Sequence, residues 1–275
     1  MSVNVLVVIG VGGMGQSIAR RQGAGREVLL ADFDEDVLNT VAEALRGEGY
    51  GVVTRPVDVS SRSSVAALAK EAADLGSVTE VVHTAGLSPV QAAPAAILEV
   101  DLLGVALVLE EFGRVVAPGG AGVVISSMAG HMAPPLDAAQ ERELAHVPAD
   151  DLLDLPFIDS EATGVSNYAL AKRANQLRVQ AAAAHWGERG ARINSISPGV
   201  ISTPMGQQEL TGESGTAMRA MIANSAAKRL GTPGDIADAA AFLLGPASTY
   251  ISGTDLLVDG GVIAALRSGR SNPST

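Results

Sequence analysis

Tyr168 and Lys172 are four residues apart in the Ala-rich stretch SNYALAKRANQLRVQAAAAHW, which has the composition of a packed helix. At this spacing a phenol and an ammonium lie side by side on one helix face. A free phenol holds its proton too tightly to act as a base near neutral pH. One cation at about 4 Å, in an effective dielectric constant near 20, contributes about 4 kcal/mol, so Lys172 is predicted to suffice for lowering the pKa of Tyr168. The alternative is an ordinary pair on a solvated helix face.

A glycine-rich stretch near the start, VLVVIGVGGMGQSIA, places Gly10, Gly12 and Gly15 in the spacing G-x-G-x-x-G between a predicted strand and a predicted helix. Such glycines permit a tight turn and let backbone amides approach a pyrophosphate at the helix N-terminus. Asp32 ends the second predicted strand, where a carboxylate accepts a hydrogen bond from a ribose 2′-hydroxyl and repels a 2′-phosphate. The pattern predicts a dinucleotide site that favours NAD over NADP. Asp58 has two interpretations, an acceptor for the adenine amino group or a carboxylate serving the next helix.

Short runs of Val, Ile and Leu alternate with helical patterns along the chain. Unbroken apolar strands separated by helices predict a single-domain α/β fold, a doubly wound (Rossmann) parallel sheet with helices on both faces. The predicted strands are 3–9, 27–31, 52–57, 78–83, 121–126, 191–196 and 254–258, and the predicted helices are 13–22, 34–46, 61–75, 95–117, 166–187 and 233–244. A dinucleotide-binding catalytic domain is expected over 1–265, followed by a flexible tail, 266–275.

The 275-residue chain carries a formal net charge of −11 and has no cysteine. No cluster of Lys and Arg relieves this charge, which argues against nucleic acid and anionic lipid as partners. The absence of Cys excludes disulfides, thiolate catalysis and sulfur-ligated zinc. The histidines lack metal-ligand spacing, so no metal is expected; they are His83, His131, His146 and His185. The apolar start is too short to span a bilayer and has no cleavage site, so a cytoplasmic protein is expected.

Together the motifs resemble the short-chain dehydrogenase/reductase family over nearly the whole chain. Besides the glycine turn and the acid after the second strand, the resemblance rests on HTAG (83–86), SSMAG (126–130), YALAK (168–172), SISPGVIST (195–203) and DLLVDGG (255–261), in this order. It implies that Tyr168 is the general acid/base, Lys172 its electrostatic partner and ribose anchor, and Ser127 a donor to the substrate oxygen. The implied cofactor-binding residues are Gly10, Gly12, Gly13, Met14, Gly15, Asp32, Phe33, Asp58, Val59, Thr84, Ala85, Gly86, Tyr168, Lys172, Pro198, Gly199, Ile201 and Thr203.

Three features depart from the family pattern. Asp101 stands where the family commonly has an Asn that holds a water in the proton relay, so Asp101 joins the candidate catalytic residues. An ionised carboxylate near Lys172 would offset the cation and raise the pKa of Tyr168. The glycine turn is one residue shorter than G-x-x-x-G-x-G, and His83 and Thr84 replace paired asparagines. His83 is predicted to be a hydrogen-bonded structural residue rather than an acid/base group.

Two segments interrupt the alternation of strands and helices. The acidic insertion, 131–165, has candidate short helices at 136–145 and 149–154 and is interpreted as a solvated addition, a lid or an interface element.

Among family members, bacterial 3α-hydroxysteroid dehydrogenase/carbonyl reductases look most similar, which implies alicyclic or steroid-like alcohols and ketones as substrates. The resemblance leaves both a homodimer and a homotetramer possible as the oligomeric state.

The second segment, 203–231, is predicted to cover the substrate. Its apolar residues either line a substrate pocket or close the core; they are Met205, Leu210, Met218 and Met221.

The leading hypothesis is an NAD-dependent oxidoreductase that transfers a hydride between nicotinamide and a secondary alcohol or ketone. One alternative is an NADPH-dependent 3-oxoacyl reductase of the same family, against which Asp32 argues. The other is a non-catalytic regulator that senses NAD, motivated by Asp101, His83 and the acidic insertion. The presence of Ser127 together with the Tyr/Lys pair argues against a regulator.

Overall fold

Seven short apolar strands pair side by side in one fully parallel sheet, in the order β3-β2-β1-β4-β5-β6-β7. The structure is a computed structural model and describes residues 3–212 and 214–269. The strands are β1 (Asn4–Ile9), β2 (Glu27–Asp32), β3 (Gly51–Pro56), β4 (Ser77–His83), β5 (Val116–Ile125), β6 (Arg192–Pro198) and β7 (Asp255–Val258).

Helices connect these strands. They are α1 (Gly13–Gln22), α2 (Glu35–Gly47), α3 (Arg62–Leu75), α4 (Pro94–Ile97), α5 (Gly104–Gly113), α6 (Ala138–His146), α7 (Gly164–Glu188), α8 (Pro204–Thr211), α9 (Gly215–Asn224), α10 (Pro233–Leu244) and α11 (Val262–Arg267). A π-helical segment, Leu98–Leu103, joins α4 to α5, and 3-10 turns cover Met128–His131, Ala149–Asp154 and Pro246–Ser248.

Both faces of the sheet are covered, which explains why the inner positions of the central strands β1 and β2 are all apolar. In β1, Val5 and Val7 pack into one buried cluster with α3, α5 and α7. Leu6 and Val8 point to the opposite face and pack with α1, α2 and α10. The predicted doubly wound parallel sheet is therefore confirmed.

The order of the strands reverses beside β1, because the chain places β2 and β3 on one side of it and β4 to β7 on the other. Ile9 pairs with Ala31 of β2 and with His83 of β4, so the three strands end at the same level. Ligands of open α/β sheets bind at such a switch point, beyond the carboxyl ends of the strands. The fold thereby brings the glycine turn, Asp32 and Thr84 to one edge.

The predicted helix 95–117 and the predicted start of the fifth strand at 121 are wrong. The helix ends at Gly113, and β5 begins at Val116, which pairs with Val78 of β4. The apolar residues after Gly113 continue a helical pattern in sequence, but pairing with β4 draws them into the sheet. Gly119, with φ +79°, lets the strand turn before its main ladder resumes.

The acidic insertion is packed rather than merely solvated. Its helices, α6 and the turn Ala149–Asp154, lie close to the candidates at 136–145 and 149–154. Leu144 and Leu152 are fully buried in the cluster that contains α5 and α7. Arg178 of α7 donates to the carbonyl oxygens of Leu144 and Val147, at 3.1 and 3.0 Å. The apolar side of the insertion thus belongs to the core, and its acids lie outside.

The C-terminal helix α11 extends two residues into the predicted tail, 266–275, of which 270–275 lie outside the described residues. Over 3–212 and 214–269, no helix combines the length and apolarity that a membrane crossing requires. In the same ranges, no group of three or more His, Asp or Glu side chains is arranged to hold a metal ion.

Candidate active site

The glycine turn after β1 is shaped by close backbone contacts. Gly10 has φ +90°, and a Cβ atom there would lie 2.3 Å from the nitrogen of Ala85. At Gly15 a Cβ atom would lie 1.9 Å from the carbonyl oxygen of Gly10. Gly12 differs, because no atom lies within 4 Å of its Cβ position. Two glycines therefore serve packing of the turn, whereas Gly12 leaves open space at the N-terminus of α1, where a pyrophosphate binds in folds of this type.

These contacts predict different results for two alanine variants. Gly15→Ala is expected to destabilise the free protein by ~1–3 kcal/mol, because its methyl group overlaps the Gly10 carbonyl. Gly12→Ala is expected to leave the unfolding midpoint nearly unchanged and to weaken NAD binding. Urea unfolding and calorimetric titration with NAD measure the two effects. Equal stability of both variants would contradict this assignment of the glycines.

Polar contacts hold the turn against the neighbouring strands. The Thr84 hydroxyl donates to the carbonyl oxygen of Gly10 at 2.5 Å. The backbone nitrogen of Val11 donates to Oδ2 of Asp32 at 2.7 Å. Asp32 thus fixes the turn in addition to facing the predicted ribose position.

A cleft of about 560 Å³ opens beside this turn. It is lined by Gly12, Gly13, Met14, Asp32, Phe33, Val57, Asp58, Val59, Ser60, Thr84, Ala85, Gly86, Leu87, Gln91, Val100, Thr203, Pro204 and Met205. Most predicted cofactor-binding residues are among them, and Gly10 and Gly15 lie just behind in the turn. The lining residues named here include no Lys or Arg. A largely apolar cleft whose lining includes Asp32 and Asp58 and no cation suits a dinucleotide that lacks a 2′-phosphate.

The acidic end of the cleft contains Asp32, Phe33 and Asp58. Phe33 is 78% exposed and offers an apolar surface beside the two carboxylates. Asp58 accepts hydrogen bonds from Ser60 through Oδ1, whereas Oδ2 accepts none from the described residues. One oxygen therefore serves the turn before α3 and the other is free for an adenine amino group, so both interpretations of Asp58 stay compatible with the structure.

Besides Gly10, Gly15, Tyr168 and Lys172, three predicted cofactor-binding residues do not line the cleft. Gly199 and Ile201 line a separate, smaller pocket with Asp259, and Pro198 ends β6. A Cβ atom on Gly199 would lie 2.7 Å from Cα of Asp259, so this glycine is required by the close approach of the chain after β7. Thr203, in contrast, lines the cleft and accepts from the nitrogen of Gly206 as the N-cap of α8.

The predicted catalytic residues converge on the first turns of α7. Thr163 caps this helix, and Lys172 places its Nζ 5.3 Å from the ring centroid of Tyr168. On its other side, Nζ of Lys172 lies 2.9 Å from Oδ2 of Asp101, and both side chains are buried. Asp101 also accepts from the nitrogen of Leu87 through Oδ1, at 2.7 Å. The phenol, the ammonium and the carboxylate thus form one contiguous cluster.

Gly86 separates this cluster from the cleft. It lines the cleft, and a Cβ atom on it would lie 3.1 Å from Oδ2 of Asp101 and 3.3 Å from Nζ of Lys172. Any larger residue would stand between the ion pair and a bound ligand. Asp101 itself lies in the π-helical segment between α4 and α5, an irregularity that often occurs at functional sites.

The charges of the cluster set its proton affinities. Burial raises the pKa of Tyr168; Lys172 opposes this, and Asp101 adds to it. Burial also raises the pKa of Asp101, against the pull of Lys172. The pKa of Lys172 is raised as well, since Asp101 and Tyr168 outweigh the effect of its burial. The prediction that Lys172 alone suffices to make the phenol acidic is therefore wrong for the free protein, whereas the predicted effect of Asp101 has the expected direction.

Serines at the end of β5 connect that strand to the cluster. Ser126 donates to the carbonyl oxygen of Lys172 at 2.8 Å, which attaches α7 to the sheet. The hydroxyl oxygen of Ser127 accepts from the nitrogen of Ala129, at 3.1 Å, so its proton points elsewhere. Ser127 faces Tyr168, and its hydroxyl lowers the pKa of the phenol. Two hydroxyl groups therefore stand together where a substrate oxygen could be held.

His83 is structural, but it is not the hydrogen-bonded residue that the sequence predicted. Its ring is buried, and neither nitrogen finds a partner among the described residues. Burial, and then the charge of Lys172, lower its pKa to about 3. A neutral imidazole beneath Lys172 adds no further positive charge to the cluster.

Comparisons with known proteins agree with this geometry. A family model described as enoyl-(acyl carrier protein) reductase matches residues 10–140 and 159–263. A short-chain dehydrogenase/reductase of Alternaria brassicicola is 42% identical over 268 residues, 97% of this chain and 98% of that protein. The chain belongs to the short-chain dehydrogenase/reductase family. Its members are oxidoreductases of alcohols and ketones with a nicotinamide cofactor, and the predicted family resemblance is confirmed.

Two further similarities concern the branch and the fold. The present chain is 30% identical to the 3-alpha-hydroxysteroid dehydrogenase/carbonyl reductase of Comamonas testosteroni, over 82% of this chain and 91% of that protein. A solved short-chain dehydrogenase/reductase of Serratia marcescens superposes with a TM-score of 0.73 at 23% identity, covering 94% of this chain and 97% of the other, which supports the fold. The family model matches two segments of the chain, and the residues between them, 141–158, fall inside the acidic insertion.

Sequence analysis missed several residues around the cleft. Leu87, Gln91 and Val100 line it, although no motif marks them. Leu210, Met218 and Met221 pack with α11 in a third apolar cluster, so they close the core, whereas Met205 lines the cleft. Glu209 is not among the lining residues, but it is four residues after Met205, a spacing that points to the same helix face.

Proposed function

We propose that this protein is an NAD-dependent oxidoreductase that transfers a hydride between nicotinamide and a secondary alcohol or ketone, in alicyclic or steroid-like substrates. The cluster of Tyr168, Lys172 and Asp101, separated from the cleft by Gly86, carries the proposal. The similarity to a hydroxysteroid dehydrogenase/carbonyl reductase supports the substrate class. We also propose a homodimer or homotetramer, because β7 leaves one edge of the sheet unpaired within the described chain.

The cleft has the features that a dinucleotide requires. The open side of Gly12 and the N-terminus of α1 would hold the pyrophosphate, and Asp32 would accept from the ribose 2′-hydroxyl. Lys172 lies behind Gly86 and would hold the second ribose. The bound nicotinamide supplies the hydride acceptor for oxidation and the hydride donor for reduction.

Tyr168 would move the proton that accompanies the hydride. In oxidation the C–H bond breaks with its electron pair, and the hydroxyl proton passes to the phenolate oxygen of Tyr168. In reduction the phenol returns that proton to the carbonyl oxygen. Ser127 would donate to the same substrate oxygen, and Lys172 would stabilise the phenolate. Because the pKa of Tyr168 is raised in the free protein, we expect the phenol to be protonated at neutral pH and oxidation to accelerate as the pH rises.

The choice of cofactor follows from Asp32. Two like charges about 4 Å apart repel by about 4 kcal/mol in an effective dielectric constant near 20, so a 2′-phosphate is strongly disfavoured there. We expect kcat/KM for NAD to exceed that for NADP by roughly 100-fold or more. Asp32→Asn is expected to reduce this ratio by about tenfold or more, since it keeps the shape and removes the charge.

Steady-state rates with both cofactors and a panel of hydroxysteroids, cyclic alcohols and aliphatic diols test the proposal. Asp34→Asn is the matched control, because Asp34 caps α2 nearby without lining the cleft. A preference for NADPH with 3-oxoacyl substrates would instead identify a reductase of that kind. Tight NAD binding with no turnover of any substrate would identify a regulator.

A further inference from the structure

Helix α8 presents one face to the cleft and another to the core. Gly206 and Leu210 are buried and pack inward. Met205 lines the cleft, and Glu209 is four residues later, one turn along the same face. Glu209 therefore lies on the cleft side of α8, one turn beyond Met205.

A contact across the cleft fixes the position of α8. Gln91, which lines the cleft, donates from Nε2 to Oε1 of Gln208 at 3.3 Å. A Cβ atom on Gly212 would lie 3.9 Å from Cγ1 of Val90. The end of α8 is thus held against the segment that follows β4.

The Glu209 carboxylate lacks a protein partner. It is half-buried, yet within 3–212 and 214–269 it accepts no hydrogen bond and has no Lys, Arg or His within ion-pairing distance. In contrast, Asp32, Asp58 and Asp101 each accept at least one hydrogen bond. A partly desolvated carboxylate without a donor is unfavourable unless a ligand supplies one.

Electrostatic effects agree with this position. Burial raises the pKa of Glu209, as expected for a partly desolvated carboxylate. The charge of Glu209 also adds to the effects of burial and of Asp101 that raise the pKa of Tyr168. Glu209 therefore lies within electrostatic range of the phenol.

We infer that Glu209 is a specificity-determining residue that accepts a hydrogen bond from a second hydroxyl group of the substrate, on the side of the reacting carbon that α8 covers. The inference rests on the proposed function and narrows its substrate class to uncharged alcohols with a second hydroxyl group. A substrate with a carboxylate in that place meets a like charge and is rejected.

Matched cyclohexane substrates test this inference. We would measure kcat and KM with NAD for cyclohexane-1,4-diol, cyclohexanol and 4-hydroxycyclohexanecarboxylate in the wild type and in Glu209→Gln. The exposed Glu43→Gln on α2 is the control. Glu209→Gln is expected to lower kcat/KM for the diol by up to about tenfold, mainly through KM, because its amide oxygen is a weaker acceptor than the carboxylate. The same variant should leave kcat/KM for cyclohexanol unchanged and raise kcat/KM for 4-hydroxycyclohexanecarboxylate, because it removes the like charge. An unchanged ratio of diol to cyclohexanol would overturn the inference.

A binding measurement separates this inference from the proposed function. Calorimetric titration of the diol and of cyclohexanol into Tyr168→Phe saturated with NAD, with and without Glu209→Gln, reports recognition without turnover. A loss of diol preference in the double variant supports the role of Glu209, and an equal preference contradicts it. Absence of turnover in the wild type with every alcohol would contradict the proposed function alone.

Discussion

Tyr168→Phe is expected to lower kcat/KM by roughly 10²- to 10⁴-fold in both directions of the reaction, with little change in the Kd of NAD. The substitution keeps the ring that packs beside Lys172 and removes only the hydroxyl group that accepts and donates the proton. Ser127 cannot replace it, because an aliphatic hydroxyl is a much weaker acid than a phenol and does not serve as an acid/base group near neutral pH. The loss should therefore appear in kcat rather than in cofactor binding.

The chain offers a matched control for this substitution. Tyr250→Phe removes the same atom from a fully exposed side chain outside the cleft, and we expect it to be indistinguishable from the wild type. Steady-state assays of oxidation and reduction, with calorimetric NAD titrations, make the comparison. Turnover that survives Tyr168→Phe would contradict the assigned proton transfer, even if NAD still binds.

Asp101→Ala is expected to destabilise the free protein by ~3–5 kcal/mol, because it leaves the buried ammonium of Lys172 without its carboxylate. It also removes the acceptor for the nitrogen of Leu87. Asp101→Asn should cost less, because its amide oxygen can still accept that bond. Urea unfolding of the two variants measures the difference.

The same pair of variants tests the electrostatic effect on Tyr168. Asp101 raises the pKa of the phenol, so Asp101→Asn should lower it. Alcohol oxidation requires the phenolate, and its pH–rate profile should therefore reach the plateau at lower pH in Asp101→Asn, with oxidation several-fold faster at neutral pH. Glu99→Gln, an exposed change two residues away in the same π-helical segment, is the control. Identical profiles for Asp101→Asn and the wild type would exclude this effect.

The sequence carries much of the fold because its signals are local. Alternation of apolar strands and helices predicts the doubly wound sheet, and spacing by four predicts that Tyr168 and Lys172 share a helix face. The G-x-G-x-x-G spacing likewise predicts the turn after β1. Each of these patterns depends on backbone geometry within a few residues, which explains why the structure agrees with it.

Other features depend on contacts between distant segments. The start of β5 is set by pairing with β4, and the direction of the pKa shift of Tyr168 is set by burial and by Asp101, 67 positions earlier in the chain. Gly199 belongs to the packing around Asp259 instead of the cleft. The proposed role of Glu209 follows only from the position of α8 in the folded chain. Periodicity gives no distance between such groups, so their roles could not be deduced before the chain was folded.

Direct titration of Tyr168 tests the central claim, that this phenol is the acid/base group and that its proton affinity is controlled by its neighbours and by the nicotinamide. The chain has only three tyrosines, so ultraviolet difference titration of the wild type against Tyr168→Phe isolates its ionisation. We predict ionisation above the usual range for a phenol in the free protein, and a shift to lower pH when NAD saturates the cleft. A Tyr168 that ionises like a free phenol, with and without NAD, would contradict the account.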